Sequence, residues 1–160
     1  MERVNEVLKL LICLVLSLFV LSLGSLFTNT NVLVWYAKLN KPSFAPPGWL
    51  FDPIWSVLYL IIPISAFLVW RKNGGSKPVR NGLILCAGQM VFNLLWWFFF
   101  FALRSPVLGL IDIAILWIFI FHTILKFSRI SKPASMLLIP YILWISFLVV
   151  LNFSILMLNS

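Results

Sequence analysis

Charge is the scarcest property of this sequence. Of its 160 residues only 10% are charged, and four of these are acidic, whereas soluble domains average about 25% charged residues. The chain also has a single histidine, His122, and two cysteines, Cys13 and Cys86. A multi-histidine metal site is therefore excluded, and the cysteines, which lie inside apolar runs without ligand spacing, are interpreted as small buried hydrophobic residues.

Reactive groups are too few for most enzyme chemistry. His122 could serve as a single axial ligand to a metalloporphyrin, but a packed or hydrogen-bonded side chain is the favoured interpretation. The sequence contains no nucleophile–histidine–acid set, carboxylate pair, phosphate-binding loop or dinucleotide fingerprint. Hydrolytic and nucleotide-driven chemistry therefore have no support.

Apolar residues are abundant. They form 62% of the chain and give a mean hydropathy of +1.08, against about 45–50% apolar residues in a soluble domain. The excess of basic residues, net charge +8, lies in short clusters between apolar runs, which indicates membrane topology rather than nucleic-acid binding. The first run is about twenty residues long, longer than a typical signal-peptide core, and is interpreted as a transmembrane helix.

Five apolar segments are long enough to cross a membrane, which takes about 20 residues in a helix. They predict an all-α integral membrane protein, a five-transmembrane-helix bundle that forms one domain over residues 1–160. The predicted helices cover residues 7–27, 51–70, 82–103, 106–127 and 133–158, and residues 28–50 form a loop. Pro63 and Pro140 fall inside predicted helices, where each should cause a bend that neighbouring helices cover.

The distribution of Lys and Arg predicts the orientation. Nine basic residues lie on the face shared by the N-terminus and the second and fourth loops: Arg3, Lys9, Arg71, Lys72, Lys77, Arg80, Lys126, Arg129 and Lys132. Three lie on the opposite face: Lys38, Lys41 and Arg104. The N-terminus is therefore predicted to be cytoplasmic, and the first loop and the C-terminus to lie outside.

Several polar side chains occur within the apolar segments, where each costs free energy unless it is paired or wetted. Asp112 lies in the fourth helix, and its two interpretations are an interhelix hydrogen bond and a proton or ligand contact. Gln89 and Asn93 share a face of the third helix with Trp96 and Phe100. That face suits a flat, mostly apolar ligand, and it equally suits hydrogen bonding between helices.

Two further faces combine tryptophan with polar or phenolic groups. Trp55 and Tyr59 are four residues apart in the second helix, and Trp144, Leu148 and Asn152 follow one another at four-residue steps in the fifth. An aromatic stripe at helical spacing is more often packing than a ligand site. A role as interface anchors explains these tryptophans less well, because each shares its helical face with a polar or phenolic group.

Four motifs in the same order resemble the translocator protein family, whose bacterial members are called tryptophan-rich sensory proteins. They are "WYAKLNKPSFAPPGWLFDPIWSVLY" at residues 35–59, "GQMVFNLLWWFFF" at 88–100, Asp112, and "LLIPYILWISFLVVLN" at 137–152. The resemblance implies a homodimeric five-helix bundle with an internal pocket covered by the first loop. It also implies porphyrin ligands (protoporphyrin IX or heme), sterols and synthetic isoquinoline or benzodiazepine ligands, with no required cofactor.

The resemblance also implies site residues. Trp35, Tyr36, Pro46 and Pro47 would belong to the lid, and a second set would line or border the pocket: Trp55, Gln89, Asn93, Trp96, Phe100, Trp144 and Leu148. If porphyrin is degraded with light and oxygen, as reported for some bacterial members, Trp55 and Trp144 are the implied redox groups. Degradation and a ligand-modulated regulatory scaffold are the alternatives to a receptor or transporter for tetrapyrroles.

The sequence departs from the family at two places. Leu148 stands where small residues are common, so it should narrow the pocket, and the animal cholesterol-binding segment is absent from the C-terminal "NFSILMLNS".

In the first loop, Pro42, Pro46 and Pro47 each fix one backbone angle. This lowers the entropy lost on ordering, so the loop is predicted to be a preformed lid that holds Phe44 and Trp49 over the bundle.

Overall fold

The structure is a computed structural model that describes residues 2–28, 30–73 and 75–160. Its elements in these ranges are α-helices and two short turns of other helix types, with no strand. The helices are α1 (Glu2–Leu26), α2 (Thr30–Lys38), α3 (Phe51–Asn73), α4 (Lys77–Trp97), α5 (Pro106–Ser128), α6 (Lys132–Leu137) and α7 (Ile139–Asn159). A 3₁₀ turn, Gly48–Leu50, precedes α3, and a π-helical turn, Phe98–Ala102, continues α4.

Five helical segments within the described ranges are long and apolar enough to cross a membrane. They are Asn5–Leu26, Gly48–Lys72, Lys77–Ala102, Pro106–Ser128 and Lys132–Asn159. The prediction of an all-α, five-helix integral membrane protein is confirmed. In lipid the helix is favoured because it satisfies nearly all backbone hydrogen bonds within the segment.

The first loop contains an element that the sequence reading did not predict. Residues 30–38 of the predicted 28–50 loop form helix α2. The first proline of the segment is Pro42, so nothing in "TNVLVWYAK" interrupts helical hydrogen bonding. The part after α2 is a strap without regular helix: the backbone N–H of Ala45 donates to the Pro42 carbonyl at 3.0 Å in a turn, and Pro47 is extended, with φ −61° and ψ 146°.

The limits of several predicted helices also differ in the structure. Helix α4 begins at Lys77 rather than residue 82, with Pro78 in its first turn, a position where proline needs no partner for its missing N–H. The predicted fifth helix is divided at Leu138 into α6 and α7, and Pro140 lies in the first turn of α7. The bend expected at Pro140 is therefore a break between two helices.

Helix α3 continues through Pro63, and a neighbouring helix covers the carbonyl that this proline leaves unpaired. Pro63 cannot donate to the carbonyl of Tyr59, four residues earlier. The Ser17 hydroxyl of α1 donates to that carbonyl instead, at 2.6 Å. Near the α6–α7 break, the Ser65 hydroxyl donates to the Ala134 carbonyl at 2.7 Å. Serine side chains thus satisfy backbone groups at both irregular points.

The spanning helices pack around one core. Helix α1 packs against α3 and α4, α5 packs against α4 and α7, and α6 contacts α3 and α5. At one end of the bundle, Arg71 at the end of α3 pairs with Glu6 near the start of α1 at 3.2 Å. At the other end, Asn40 bonds to Asn159. The N-terminus and the α3–α4 connection therefore share one end, and the first loop and C-terminus share the other.

Candidate functional site

A cavity of about 380 Å³ lies between α2 and the bundle. Its size falls within the range of about 300–1,000 Å³ that is typical of small-molecule sites. Seven of its fourteen lining residues are aromatic. The lining is Thr28, Tyr36, Gly48, Trp49, Phe51, Asp52, Trp96, Trp97, Phe100, Phe101, Leu148, Leu151, Asn152 and Ile155.

Helix α4 and its π-helical turn supply four aromatic side chains to the cavity wall. Trp96 stacks on Phe100 with ring centroids 5.3 Å apart, and Trp97 stacks on Phe101 at 5.4 Å. The π-helical turn begins at Phe98, and the backbone N–H of Leu103 donates to the Phe98 carbonyl at 2.9 Å. Wider turns of this kind are common at functional sites because they change which side chains share a face.

Tyr36 of α2 covers the cavity from above. Its ring meets the rings of Phe51, Phe100 and Phe101 at centroid distances of 6.4, 6.2 and 6.0 Å. Burial raises the pKa of the Tyr36 phenol above its ordinary value. The hydroxyl is buried and has no hydrogen-bond partner among the described residues, which leaves it available to a ligand.

The lid, defined here as α2 and the following strap to Trp49, is held by three sets of contacts. The Lys41 ammonium donates to the carbonyls of Tyr36, Ala37 and Leu39 at 2.9–3.2 Å and thereby closes the C-terminal end of α2. Asn40 exchanges hydrogen bonds with Asn159 of α7. Phe44 contacts Phe147 at a ring distance of 6.2 Å, and Trp35 contacts Phe100 at 5.8 Å.

The polar pair predicted on the third helix has two separate environments. Asn93 joins two helices: its Oδ1 accepts from the Tyr59 hydroxyl, and its Nδ2 donates to the Tyr141 oxygen at 2.8 Å. Gln89 donates from Nε2 to the Cys86 sulfur at 3.4 Å, and its Oε1 has no partner among the described residues. Both side chains are fully buried, so in this conformation Asn93 serves helix association.

The two tryptophans that the resemblance links to porphyrin breakdown lie in different places. Trp55 is 2% exposed and packs behind the cavity wall, 6.2 Å from Trp96 and 5.6 Å from Trp97 between ring centroids. Trp144 stacks on Phe147 at 5.4 Å and lines an open apolar groove between α3 and α7. Neither lines the cavity under the lid.

The cavity thus includes four of the predicted site residues: Tyr36, Trp96, Phe100 and Leu148. Pro46 and Pro47 lie in the strap directly before Gly48 and Trp49, which line it. The sequence reading did not assign Asp52, Trp97, Phe101 or Asn152 to the site. Trp97 and Phe101 repeat the four-residue spacing of Trp96 and Phe100, so the signal for them was present, whereas nothing in the sequence placed Asp52 at the cavity.

Asp112 and His122 lie outside the cavity lining. Asp112 is 2% exposed, and neither carboxyl oxygen has a hydrogen-bond partner within the described part of the chain. The Nδ1 atom of His122, an exposed residue, lies 2.9 Å from the Ile118 carbonyl of its own helix. His122 is therefore not placed to contact a molecule in this cavity.

These features define a class: an all-helical, multi-pass integral membrane protein with an aromatic small-molecule cavity under a folded lid. The sequence matches the TspO/MBR family over residues 11–158, and the chain belongs to that family. Family membership supports a receptor- or transporter-like role in the lipid bilayer.

Two relatives are similar to this chain over nearly their whole length, and a third over most of its length. The chain is 45% identical to the tryptophan-rich protein TspO of Chlorobaculum tepidum over 97% of this chain and 98% of the relative. It is 41% identical to the tryptophan-rich protein TspO of Archaeoglobus fulgidus over 97% and 99%. The human translocator protein is 34% identical over 81% of this chain and 78% of its own length.

Proposed function

We propose that the protein binds porphyrins in the cavity under the lid and acts as a membrane receptor or transporter for them. The observation that carries the proposal is the composition of the cavity wall, in which aromatic side chains form half of the lining. Flat apolar molecules bind well against aromatic faces, and a few polar groups then orient them. Tyr36 and Asn152 both line the cavity, and the Tyr36 hydroxyl and the Asn152 Oδ1 have no hydrogen-bond partner among the described residues.

The direct test is quenching of tryptophan fluorescence by protoporphyrin IX added to the detergent-solubilised protein. A Leu148→Trp variant should fill the cavity, since Leu148 lines it and is 1% exposed. A matched control is Val150→Trp, two residues further on α7 and 55% exposed. Both variants have the same number of tryptophans, so their quenching curves can be compared directly.

The expected result is saturable quenching in the unaltered protein and in Val150→Trp, with at least a tenfold weaker affinity in Leu148→Trp. Equal affinity in all three proteins would mean that porphyrin binds elsewhere on the apolar surface, and the proposal would be rejected. Circular dichroism of each variant would establish that the helices are retained.

Light- and oxygen-dependent degradation of porphyrin is the second candidate. The observation that favours it is the contact between Trp55 and Trp96, because Trp96 lines the cavity and Trp55 lies directly behind it. Product formation under light should fall in Trp55→Phe and in Trp144→Phe relative to Val150→Trp. Unchanged product formation in the Trp55→Phe, Trp144→Phe double variant would exclude these tryptophans as the redox groups.

We also propose a homodimer and an N-terminus on the cytoplasmic side. The dimer rests on the family resemblance, and apolar residues such as Ile84 and Val91 on the outer face of α4 could be covered by a second copy or by lipid. The orientation rests on the basic residues at the end that holds Glu6 and Arg71. Light scattering in detergent tests the homodimer. Labelling of single cysteines introduced at residues 75 and 160 in intact cells tests the orientation of the N-terminus.

A further inference from the structure

The cavity has one feature that aromatic stacking does not require, a carboxylate at its mouth. Asp52 lies in the first turn of α3, directly after the 3₁₀ turn Gly48–Leu50, and its side chain is exposed. Among the described residues that line the cavity, Asp52 alone carries a charge. A ligand in the cavity therefore lies beside one negatively charged lining residue.

No basic side chain neutralises this charge in the described part of the chain. The ion pairs there join Glu6 to Lys9 and to Arg71, at the opposite end of the bundle. Lys41 is the lid cation nearest in sequence, and its ammonium donates to three carbonyls at the end of α2. An acidic residue in a first turn stabilises the helix N-terminus through the helix dipole, which accounts for an aspartate here but not for its position at a cavity.

A carboxylate beside aromatic faces has a definite chemical preference. Ring faces attract cations through their quadrupole, and a nearby carboxylate adds a direct attraction. An anionic group at the same point is repelled by the carboxylate and gains nothing from the rings. Trp49 and Phe51 shortly precede Asp52 in the sequence and line the same cavity.

We propose that Asp52 determines the charge preference of the cavity, which favours flat aromatic ligands with a cationic or neutral group at the mouth over ligands with a free carboxylate there. This inference rests on the proposed function and specifies which tetrapyrroles the site prefers. A free dicarboxylic porphyrin must turn its propionates away from Asp52, whereas an ester or an amine-bearing amide needs no such restriction.

Three probes with one chromophore test the inference: protoporphyrin IX, its neutral dimethyl ester, and its diamide with ethylenediamine, which is cationic. Each is titrated into the unaltered protein and Asp52→Asn in neutral detergent at 0.15 M salt. The matched control is Lys38→Gln, because Lys38 is an exposed lid residue that does not line the cavity. Lys38→Gln changes the net charge at the lid end of the bundle by one unit.

In the unaltered protein we expect the cationic diamide to bind most tightly and the diacid least tightly. Asp52→Asn should reduce the ratio of diamide to diacid affinity about tenfold, the effect of one charge pair some 6 Å apart at intermediate dielectric. Lys38→Gln should change the ratio less than threefold, because an exposed, more distant charge is screened.

The outcomes separate this inference from the proposed function. If none of the three probes binds the unaltered protein, the proposed function itself fails. If they bind but Asp52→Asn leaves the affinity ratio unchanged, porphyrin binding stands and the role of Asp52 is refuted. A change in Lys38→Gln as large as that in Asp52→Asn would attribute the preference to the overall charge of the face and would also overturn the inference.

Discussion

Asn40 in the lid and Asn159 at the end of α7 exchange two hydrogen bonds across 119 positions of the chain. The backbone N–H of Asn40 donates to Asn159 Oδ1 at 3.0 Å, and Asn159 Nδ2 donates to the Asn40 carbonyl at 2.9 Å. The side chain of Asn159 therefore replaces the backbone partners that an extended strap lacks. Tyr36, four residues before Asn40, lies over the cavity, so this pair connects the C-terminus to the cover of the site.

Removal of this pair should speed ligand release. Asn159→Ala leaves the Asn40 N–H and carbonyl to water, and exposed hydrogen bonds contribute about 0.5–1.5 kcal/mol each. We expect porphyrin to dissociate about fivefold faster, measured by stopped-flow recovery of tryptophan fluorescence. Ser160→Ala is the control, because among the described residues its hydroxyl bonds only to the Met157 carbonyl. Equal off-rates in the two variants would show that the lid does not depend on Asn159.

The prolines of the strap should stabilise the closed lid through the entropy of the open state. Pro46→Gly together with Pro47→Gly adds backbone freedom, and each change should cost about 0.4–1 kcal/mol of lid ordering. The expected result is a several-fold weaker porphyrin affinity and a faster off-rate in the same stopped-flow assay. Ser43→Gly adds a glycine to the same strap without removing a proline. If the double variant behaves like Ser43→Gly, the strap is a simple spacer.

The hydrogen bond from Ser17 to the Tyr59 carbonyl should matter only while Pro63 is present. Ser17→Ala leaves a buried carbonyl unpaired and should lower the free energy of unfolding by about 0.6–1.7 kcal/mol, the range found for interhelical bonds in membranes. Pro63→Ala restores an N–H within α3. The cost of Ser17→Ala should then shrink, as measured by a double-mutant cycle of unfolding in detergent. An equal cost in both backgrounds would refute the compensation.

Two tyrosine hydroxyls should differ sharply in their effect on stability. Tyr59→Phe leaves the buried Asn93 Oδ1 without its donor, and an unsatisfied buried acceptor costs about 1–3 kcal/mol. Tyr36→Phe removes a hydroxyl that has no partner among the described residues and should leave the thermal midpoint nearly unchanged. Differential scanning fluorimetry in detergent measures both. A large loss in Tyr36→Phe would reveal a hidden partner for its hydroxyl.

The spanning segments could be predicted because their signal is local. A run of about 20 apolar residues crosses the hydrocarbon core whatever its neighbours are, and all five predicted spans are present with boundaries moved by several residues. It was also predictable that another side chain donates to the carbonyl that Pro63 leaves unpaired, since an unpaired carbonyl in lipid must find a donor. That the donor is Ser17 was not, because it depends on how α1 packs against α3.

Helix α2 and the placement of the tryptophans show the limit of local reasoning. Residues 30–38 carry no strong helix signal of their own, and α2 is short enough to need tertiary contacts such as those of Tyr36 with Phe100 and Phe101. Trp55 and Trp144 both share helical faces with polar or phenolic groups in the sequence. Only the rotation of α3 and α7 within the bundle determines that neither lines the cavity.

The sequence by itself determined that most of this chain lies in lipid, that it is helical, that it has five spans and which family it belongs to. Hydropathy and motif order are properties of the chain alone. The tertiary structure decided which of the many aromatic residues surround a cavity, that Asn93 bridges Tyr59 and Tyr141, and that Asp52 lies at the mouth. The physical reason is that a helix presents several possible faces to its neighbours, and only packing among all of the helices selects the face that encloses a site.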